Sequence, residues 1–203
     1  MKSLGKFLLL TACVAAAQSP QTSRPAAPAA SATSIDVTQL AAIVKQQFGD
    51  TFTIPPKFSS PFIAADFDGD SVEDVAIVAD SKDPLPDSYD FKYVVADPYN
   101  AYFGMGNPRI SALFGSADRS RNHSLLVIFG AGKEAWRSAT PKAKFVLINI
   151  PFDTVEAGRM LTRKKNTPPI FVIKAVESQL MDSAVWFDAK RKKWHWEPGG
   201  VRD

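Results

Sequence analysis

The residues best suited to chemistry lie in a nine-residue acidic stretch, 66–74, whose sequence is DFDGDSVED. Aspartates occupy its first, third, fifth and ninth positions, so a tight turn would direct four side-chain carboxylates toward one point. Such like charges repel one another, and a hard cation bound among them removes the repulsion. Calcium fits best, because it accepts about six to eight oxygen ligands at flexible geometry, including a backbone carbonyl at the seventh position. The predicted calcium ligands are Asp66, Asp68, Asp70, Val72 (through its carbonyl) and Asp74.

An ordinary polar turn is the alternative interpretation of this stretch, because Asp and Gly are common turn residues whose side chains bond the nearby backbone. An EF-hand is excluded. That loop has glycine at its sixth position and glutamate at its twelfth, where this chain has Ser71 and Ile77. Under the calcium hypothesis Gly69 permits the turn, Glu73 faces water, and the bound ion fixes the geometry of the flanking strands.

The segment 63–79 resembles the calcium loop of FG-GAP and related VCBS-type β-repeats, in which an Asp-rich turn links two strands. Gly69 stands at the family's glycine, whereas Ser71 departs from the glycine that the family usually has there. The chain contains no second copy of the loop, which excludes a propeller built from several repeats. The resemblance is closest to small exported bacterial domains that carry one such loop and a C-terminal aromatic hairpin.

The elements that must position the loop follow from the apolar pattern. Leu40, Val44 and Phe48 recur at a four-residue spacing and predict a helix over 36–48. Short apolar runs bounded by turn residues predict seven strands, at 62–66, 74–79, 124–130, 144–150, 170–176, 183–187 and 192–197. The expected fold is α+β and mostly antiparallel β, with the N-terminal helix packed on a sheet of these seven strands.

The segment 80–122 is predicted to be an insertion in the domain, because it contains four prolines and shows no sustained period. A structureless loop of that length is unusual in a compact domain. Its tyrosines and phenylalanines therefore predict that it packs down, with a short strand at 91–95. If any segment specifies a partner, we expect it to be this one.

The first seventeen residues are predicted to be a signal peptide, because two lysines precede an apolar run at 7–17 that is too short to span a membrane. Residues 10–13, LTAC, resemble the lipobox of bacterial lipoproteins, in which Cys13 would be acylated and anchor the protein in the membrane. Ordinary cleavage after the alanines at 15–17 is the alternative. Valine at position 14 indicates the outer membrane if the lipoprotein sorting pattern applies.

The rest of the chain divides into a linker and one domain. The segment 18–34 consists largely of Ala, Pro, Ser and Thr, which indicates a tether. Residues 35–203 form the β-rich domain. Its charge is unevenly distributed, since 35–100 has 12 acids and 4 bases (net −8) and 101–203 has 9 acids and 17 bases (net +8). Either the two halves neutralise each other, or a basic face that includes 163–165 and 190–193 meets an anionic lipid or envelope polymer.

Two further sequence patterns bear on function. Gly130, Gly132 and Ala135 imitate a dinucleotide fingerprint, but Pro141 leaves no room for the crossover helix, so a turn within a β-meander is predicted with Trp136 in the core. In the C-terminal hairpin, alternation places Trp194 and Trp196 on one face and His195 on the other. Such tryptophans could stack on sugar rings, but burial in the core is the favoured interpretation.

The sequence therefore predicts an exported, lipid-anchored calcium-binding β domain that acts as a non-catalytic envelope binding or structural module. It would lie in the bacterial cell envelope, either on the outer membrane facing the periplasm or free in the periplasm. Expected partners are the membrane, through Cys13, and an anionic envelope polymer or a protein; nucleic acid is not expected outside the cytoplasm. A hydrolase of envelope polysaccharide that uses a carboxylate pair is the alternative.

Overall fold

A computed structural model describes residues 35–112, 123–161, 169–177 and 182–199 of the 203-residue chain. The helices are α1 (Val37–Phe48), α2 (Pro98–Tyr102) and α3 (Pro108–Ser111). The strands are β1 (Phe62–Ala65), β2 (Asp74–Asp80), β3 (Val94–Ala96), β4 (His123–Phe129), β5 (Ala143–Leu147), β6 (Thr154–Met160), β7 (Ile170–Val176), β8 (Ser183–Asp188) and β9 (Lys193–Pro198). The predicted α+β fold with mostly antiparallel strands is confirmed.

The strands form two sheets within the part of the chain that the structure describes. The first sheet has the order β1-β2-β4-β5-β3, and the second has the order β6-β7-β8-β9. Every neighbouring pair is antiparallel except β3 and β5, which are parallel. The β1–β2 hairpin holds the acidic stretch in its connection, so the loop lies at one end of the first sheet.

The first sheet is covered on both faces, which explains why its central strands are apolar throughout. Alternate side chains of β2 and β4, such as Val78 and Leu125, face the second sheet and pack against β7 and β9. The intervening side chains, such as Ile77 and Leu126, pack against α1. The predicted packing of the N-terminal helix on a sheet is therefore confirmed, and the domain has a helix–sheet–sheet arrangement. All core residues that the structure describes lie at position 35 or later, so a chain that starts at Ile35 keeps all of them.

The prediction of seven strands in one sheet was wrong in number and arrangement, since the described residues contain nine strands in two sheets. Strand β6 has few apolar residues because it is an edge strand with a mostly exposed side-chain pattern. Strand β6 therefore lacks the short apolar run that identifies the predicted strands. Strand β3, close to the short strand predicted at 91–95, has only three residues and lies at the edge of the first sheet.

The described part of the 80–122 insertion contains β3, α2 and α3, and the expectation that its aromatic side chains pack down holds only in part. Tyr93 is buried, whereas Tyr89, Tyr102 and Phe103 are more than half exposed. Asp97 caps α2 by accepting a hydrogen bond from the backbone N–H of Asn100 at 2.9 Å. The amide of Asn149, which follows β5, donates to the same carboxylate at 2.6 Å and to the carbonyl of Ser111 at 3.0 Å. This buried polar cluster ties α2 and α3 to the end of the first sheet.

Several predictions lie outside the described residues. They concern the signal peptide at 1–17 with Cys13, the linker at 18–34 and the basic run at 163–165. In the part of the chain that the structure covers, no helix has the length and apolar character needed to cross a membrane.

Candidate metal centre

The acidic loop is shaped by two residues of left-handed backbone conformation, which are separated by Asp70. Gly69 has φ of 80° and Ser71 has φ of 71°. Glycine adopts this region freely, whereas an L-residue with a side chain pays a steric cost there. The turn-forming role predicted for Gly69 agrees with this geometry. Ser71 adopts the same region although it carries a side chain.

Asp66 organises the turn by accepting hydrogen bonds from the backbone of the loop. Its Oδ1 accepts from the N–H groups of Gly69 at 2.8 Å and Asp70 at 3.0 Å, and its Oδ2 accepts from Ser71 at 2.8 Å. These bonds curl the chain around one carboxylate, as in an Asx-type turn. The same curl directs the following acidic side chains toward Asp66.

Asp74 is the buried member of the group, with 1% of its surface exposed. Its Oδ2 accepts from the N–H groups of Phe67 at 2.8 Å and Asp68 at 3.3 Å, and its Oδ1 accepts from that of Gly130 at 2.8 Å. Burial raises the pKa of Asp74 to about 7, and the nearby charge of Asp68 adds to this rise, while the three N–H groups oppose it. One carboxylate thus joins both ends of the loop to the end of β4.

Three of the five predicted ligands converge. Asp66, Asp68 and Asp74 each offer a carboxylate oxygen, and these oxygens all lie within 4.8 Å of one another. Two oxygens that bind one Ca²⁺ at about 2.4 Å can be at most about 4.8 Å apart. One cation could therefore contact all three carboxylates, and the group could hold a metal ion.

Asp70 and Val72 do not belong to that group of three. The backbone N–H of Val72 donates to Oδ1 of Asp70 at 2.8 Å, and Oδ2 of Asp70 accepts from the ammonium of Lys142 at 2.6 Å. Burial acts to raise the pKa of Asp70, but the bonds from Lys142 and Val72 outweigh it and hold the pKa below its ordinary value. The negative charge of Asp70, at the fifth position of the loop, is thus neutralised by the ammonium of Lys142.

Lys142 is a component of this centre that the sequence did not indicate. Its ammonium also donates to Oδ2 of Asp68 at 2.6 Å, so it bridges two loop carboxylates. These two bonds raise the pKa of Lys142 above its ordinary value, and the bond to Asp68 makes the largest contribution. A lysine 72 residues beyond Asp70 carries no local sequence signal. Only the pairing of β4 with β5, which begins at Ala143, brings it to the loop.

Glu73 is only partly open to water, with 27% of its side chain exposed, so the expectation of a solvent-facing acid holds only in part. Its Oε1 accepts from the indole N–H of Trp136 at 2.9 Å and from Arg137 at 3.3 Å. Trp136 is fully buried, and a buried indole N–H requires an acceptor. Glu73 supplies this acceptor, and the metal-capable group consists of aspartates alone.

Gly130 fits closely against the loop, which explains one glycine of the imitated dinucleotide fingerprint. A Cβ at this position would lie 2.3 Å from the carbonyl oxygen of Glu73 and 2.8 Å from the carbonyl carbon of Ala135. Strands β4 and β5 pair antiparallel around this turn, as predicted for a β-meander. Backbone approach to the loop therefore accounts for the glycine, and a pyrophosphate is not needed to explain it.

The aromatic hairpin is mainly core, in agreement with the favoured interpretation. Trp194 and Trp196 are 3% and 8% exposed and belong to the core between the two sheets. His195 lies on the opposite face of the strand, where its ring stacks on Trp186 with centroids 4.4 Å apart. Burial lowers the pKa of His195.

Replacing Ser71 by glycine is expected to stabilise the domain by about 0.5 kcal/mol, because the substitution removes the cost of a side chain at positive φ. The opposite substitution, Gly69→Ala, should destabilise it by about 1 kcal/mol for the same reason. A Cβ at this position meets no atom within 4 Å, so the conformational cost is the whole expected effect. Urea unfolding of both variants measures the two effects. A loss of stability in Ser71→Gly would contradict the conformational argument.

Searches of protein-family models, curated proteins and solved structures found no match to this chain. The metal-capable group of Asp66, Asp68 and Asp74 on the β1–β2 connection, bordered by Lys142, is therefore the observation on which a function can be argued.

Proposed function

We propose that the protein is an exported, lipid-anchored calcium-binding β domain that serves as a non-catalytic binding or structural module of the bacterial cell envelope. The proposal of a calcium site is supported by the convergence of Asp66, Asp68 and Asp74. Carboxylate oxygens are the ligands that calcium prefers, and the described residues bring no histidine or cysteine into this group that would favour a transition metal. The loop belongs, in this proposal, to the FG-GAP kind, with Asp70 and the carbonyl of Val72 completing the ligand set.

The cation would have a structural role because the loop connects separate parts of the fold. Asp74 contacts the backbone of both the loop and Gly130, and Glu73 binds the side chain of Trp136. An ion held by Asp66 and Asp68 would neutralise charges that repel one another beside these contacts. Calcium would thereby stabilise the end of the first sheet.

The carboxylate-pair hydrolase is not advanced as a second function, because no observation favours it. The groove between β3 and β9 is lined by Val94–Pro98, Phe145 and Lys192–Trp194, among other residues. Its one acidic lining residue is Asp97, whose carboxylate accepts hydrogen bonds from Asn100 and Asn149. A second acid at glycosidase spacing is not among the groove residues that the structure describes.

Thermal melts of the chain from residue 35, in calcium and in EDTA, test the calcium site. Sites of the extracellular type bind calcium at about 0.1 to 1 mM, so millimolar calcium should stabilise the domain by about 1 to 2 kcal/mol. For a domain of this size the Tm should rise by several degrees. We expect Asp68→Ala to abolish the rise. Equal melts of the wild-type protein in calcium and EDTA would mean that the loop is only a polar turn.

Two further variants define the ligand set and the part played by Lys142. If Asp70 is a ligand, Asp70→Ala should also abolish the calcium-dependent rise; if Asp66, Asp68 and Asp74 suffice, part of it should remain. Lys142→Met removes the ammonium that bridges Asp68 and Asp70. This variant should melt lower than the wild type in EDTA, because the aspartates lose their partner, and should gain more from calcium. Equal calcium responses of Lys142→Met and wild type would contradict competition between the ammonium and the ion.

A further inference from the structure

Exposed apolar side chains are concentrated on one short segment of the insertion. Tyr102 and Phe103 are each 54% exposed, Met105 is 65% exposed and Ile110 is 56% exposed. Val94, at the start of β3, is 58% exposed. These five are most of the large apolar side chains exposed in the described part of the chain. A concentration of this kind on a soluble domain marks a surface that contacts something apolar.

The tip of this surface is the tight turn Tyr102–Met105 that ends α2. The N–H of Met105 donates to the carbonyl of Asn100 at 2.7 Å, and that of Gly104 donates to Ala101 at 3.1 Å. Gly104, at φ of 83°, allows the reversal. Side chains that are more than half exposed on a tight turn project outward, unlike those that line a concave ligand pocket.

Aromatic side chains of α2 and of this turn pack against Trp196. The ring centroids of Tyr102 and Phe103 lie 5.2 and 6.1 Å from that of Trp196, and the centroid of Tyr99 lies 4.9 Å from it. Trp196 is itself part of the core between the sheets. Tyr102 and Phe103 are therefore packed against β9, which reduces the conformational entropy that these two side chains would lose on docking.

Basic side chains border this apolar surface. Lys192 and Lys193, in the β8–β9 hairpin, line the same groove as Val94 and Pro108. Lys190, Lys192 and Lys193 are exposed, and none forms an ion pair with another described residue. Between 94 and 112 the one acidic residue is Asp97, which is 3% exposed and faces the polar cluster beneath α2. Glu197 of β9 is also exposed, but the three lysines outnumber it, so the surface combines apolar tips with net positive charge.

We propose that this surface, formed by Tyr102–Met105, Ile110, Val94 and the lysines of the β8–β9 hairpin, docks on an anionic lipid bilayer. Aromatic and methionine side chains on the projecting turn would enter the headgroup layer, and the lysines would contact lipid phosphates. A soluble polyanion would use the lysines but would give the exposed apolar tips no partner. A bilayer is the occupant that satisfies both. The proposal does not depend on calcium binding or on acylation at the N-terminus.

Sedimentation with vesicles tests the proposal, using the chain from residue 35 so that the N-terminal segment does not contribute. Wild-type protein should bind vesicles of phosphatidylethanolamine and phosphatidylglycerol, and should bind vesicles of phosphatidylcholine much less. The double variant Lys192→Gln/Lys193→Gln should bind anionic vesicles about 25-fold more weakly, at about fivefold for each lysine. Phe103→Ser/Met105→Ser should weaken binding by about tenfold or more.

Matched substitutions on α1 serve as controls, since this helix covers the other face of the first sheet. Val37, which is 55% exposed, and Lys45, whose side chain is 71% exposed, provide one apolar and one basic position. Val37→Ser/Lys45→Gln should bind vesicles like the wild type. Melting curves verify that every variant is folded.

The proposal is overturned if wild-type protein does not bind anionic vesicles, if the α1 variant weakens binding equally, or if the tip variant binds as well as the wild type while the lysine variant does not. The last outcome would indicate a polyanion site without insertion.

Discussion

Gly130→Ala is expected to lower the free energy of unfolding by about 3 kcal/mol or more. The added Cβ would lie 2.3 Å from the carbonyl oxygen of Glu73 and 2.8 Å from the carbonyl carbon of Ala135. Both obstacles are backbone atoms, so no side-chain rotation relieves the overlap. The loop and the start of the 3₁₀ turns at Gly132–Arg137 would have to separate. That movement would also lengthen the bond from the Gly130 N–H to Asp74, which is now 2.8 Å.

Gly132→Ala is the matched control, because this glycine lies two residues away and has a different reason to be glycine. A Cβ at Gly132 would meet no atom within 4 Å, but the residue has φ of 62°. Its replacement should cost only the conformational term, about 1 kcal/mol. Urea unfolding in EDTA measures both variants without any contribution of a cation. Equal losses in the two variants would show that close packing against Glu73 is not what requires glycine at position 130.

The two glycines also show what the sequence could and could not reveal. Their spacing imitates a dinucleotide fingerprint, and the position of Pro141 was sufficient to reject that interpretation. The reason for Gly130 was invisible, because its neighbour Glu73 is far away in the chain. Contacts of this kind depend on the pairing of β2 with β4, and a list of apolar runs does not specify which strands pair.

The central strands were predictable because they are covered on both faces. Val75 to Ala79 and Leu125 to Phe129 are buried almost without interruption, so they appear in the sequence as continuous apolar runs. Strand β6 is an edge strand with mostly exposed side chains, so hydrophobicity does not identify it. The division into two sheets was missed for a related reason. Apolar patterns identify faces that are buried but not the elements that bury them.

The acidic loop was predictable in its location and only partly in its contacts. Spacing indicated that Asp66, Asp68 and Asp74 would converge, since all three lie within one tight turn. Local spacing could not show that Lys142 would approach Asp68 and Asp70, or that Glu73 would turn toward Trp136. Both partners come from the segment between β4 and β5. Their approach is a consequence of strand order, which brings this segment beside the β1–β2 connection.

Asp74→Ala is expected to destabilise the domain by about 3 kcal/mol or more even when no cation is present. The carboxylate accepts from the backbone N–H groups of Phe67, Asp68 and Gly130. Alanine would leave these donors without their acceptor in a buried site, and each buried unpaired N–H costs about 1 to 3 kcal/mol. Asp74→Asn retains one acceptor oxygen at nearly the same volume, so its loss should be intermediate. Urea unfolding in EDTA measures both.

The comparison with Asp68→Ala separates the structural contacts of Asp74 from its proposed role as a ligand. Asp68 accepts from Lys142 and Asp70 but does not link the loop to β4, so Asp68→Ala should lose less stability in EDTA than Asp74→Ala and should lose the gain from calcium. Asp74→Ala should lose both. If Asp74→Ala unfolds like the wild type in EDTA, the three N–H bonds do not hold the loop. If it retains the full gain from calcium, Asp74 is not a ligand, and the ion would have to be held by Asp66 and Asp68 with other oxygens of the loop.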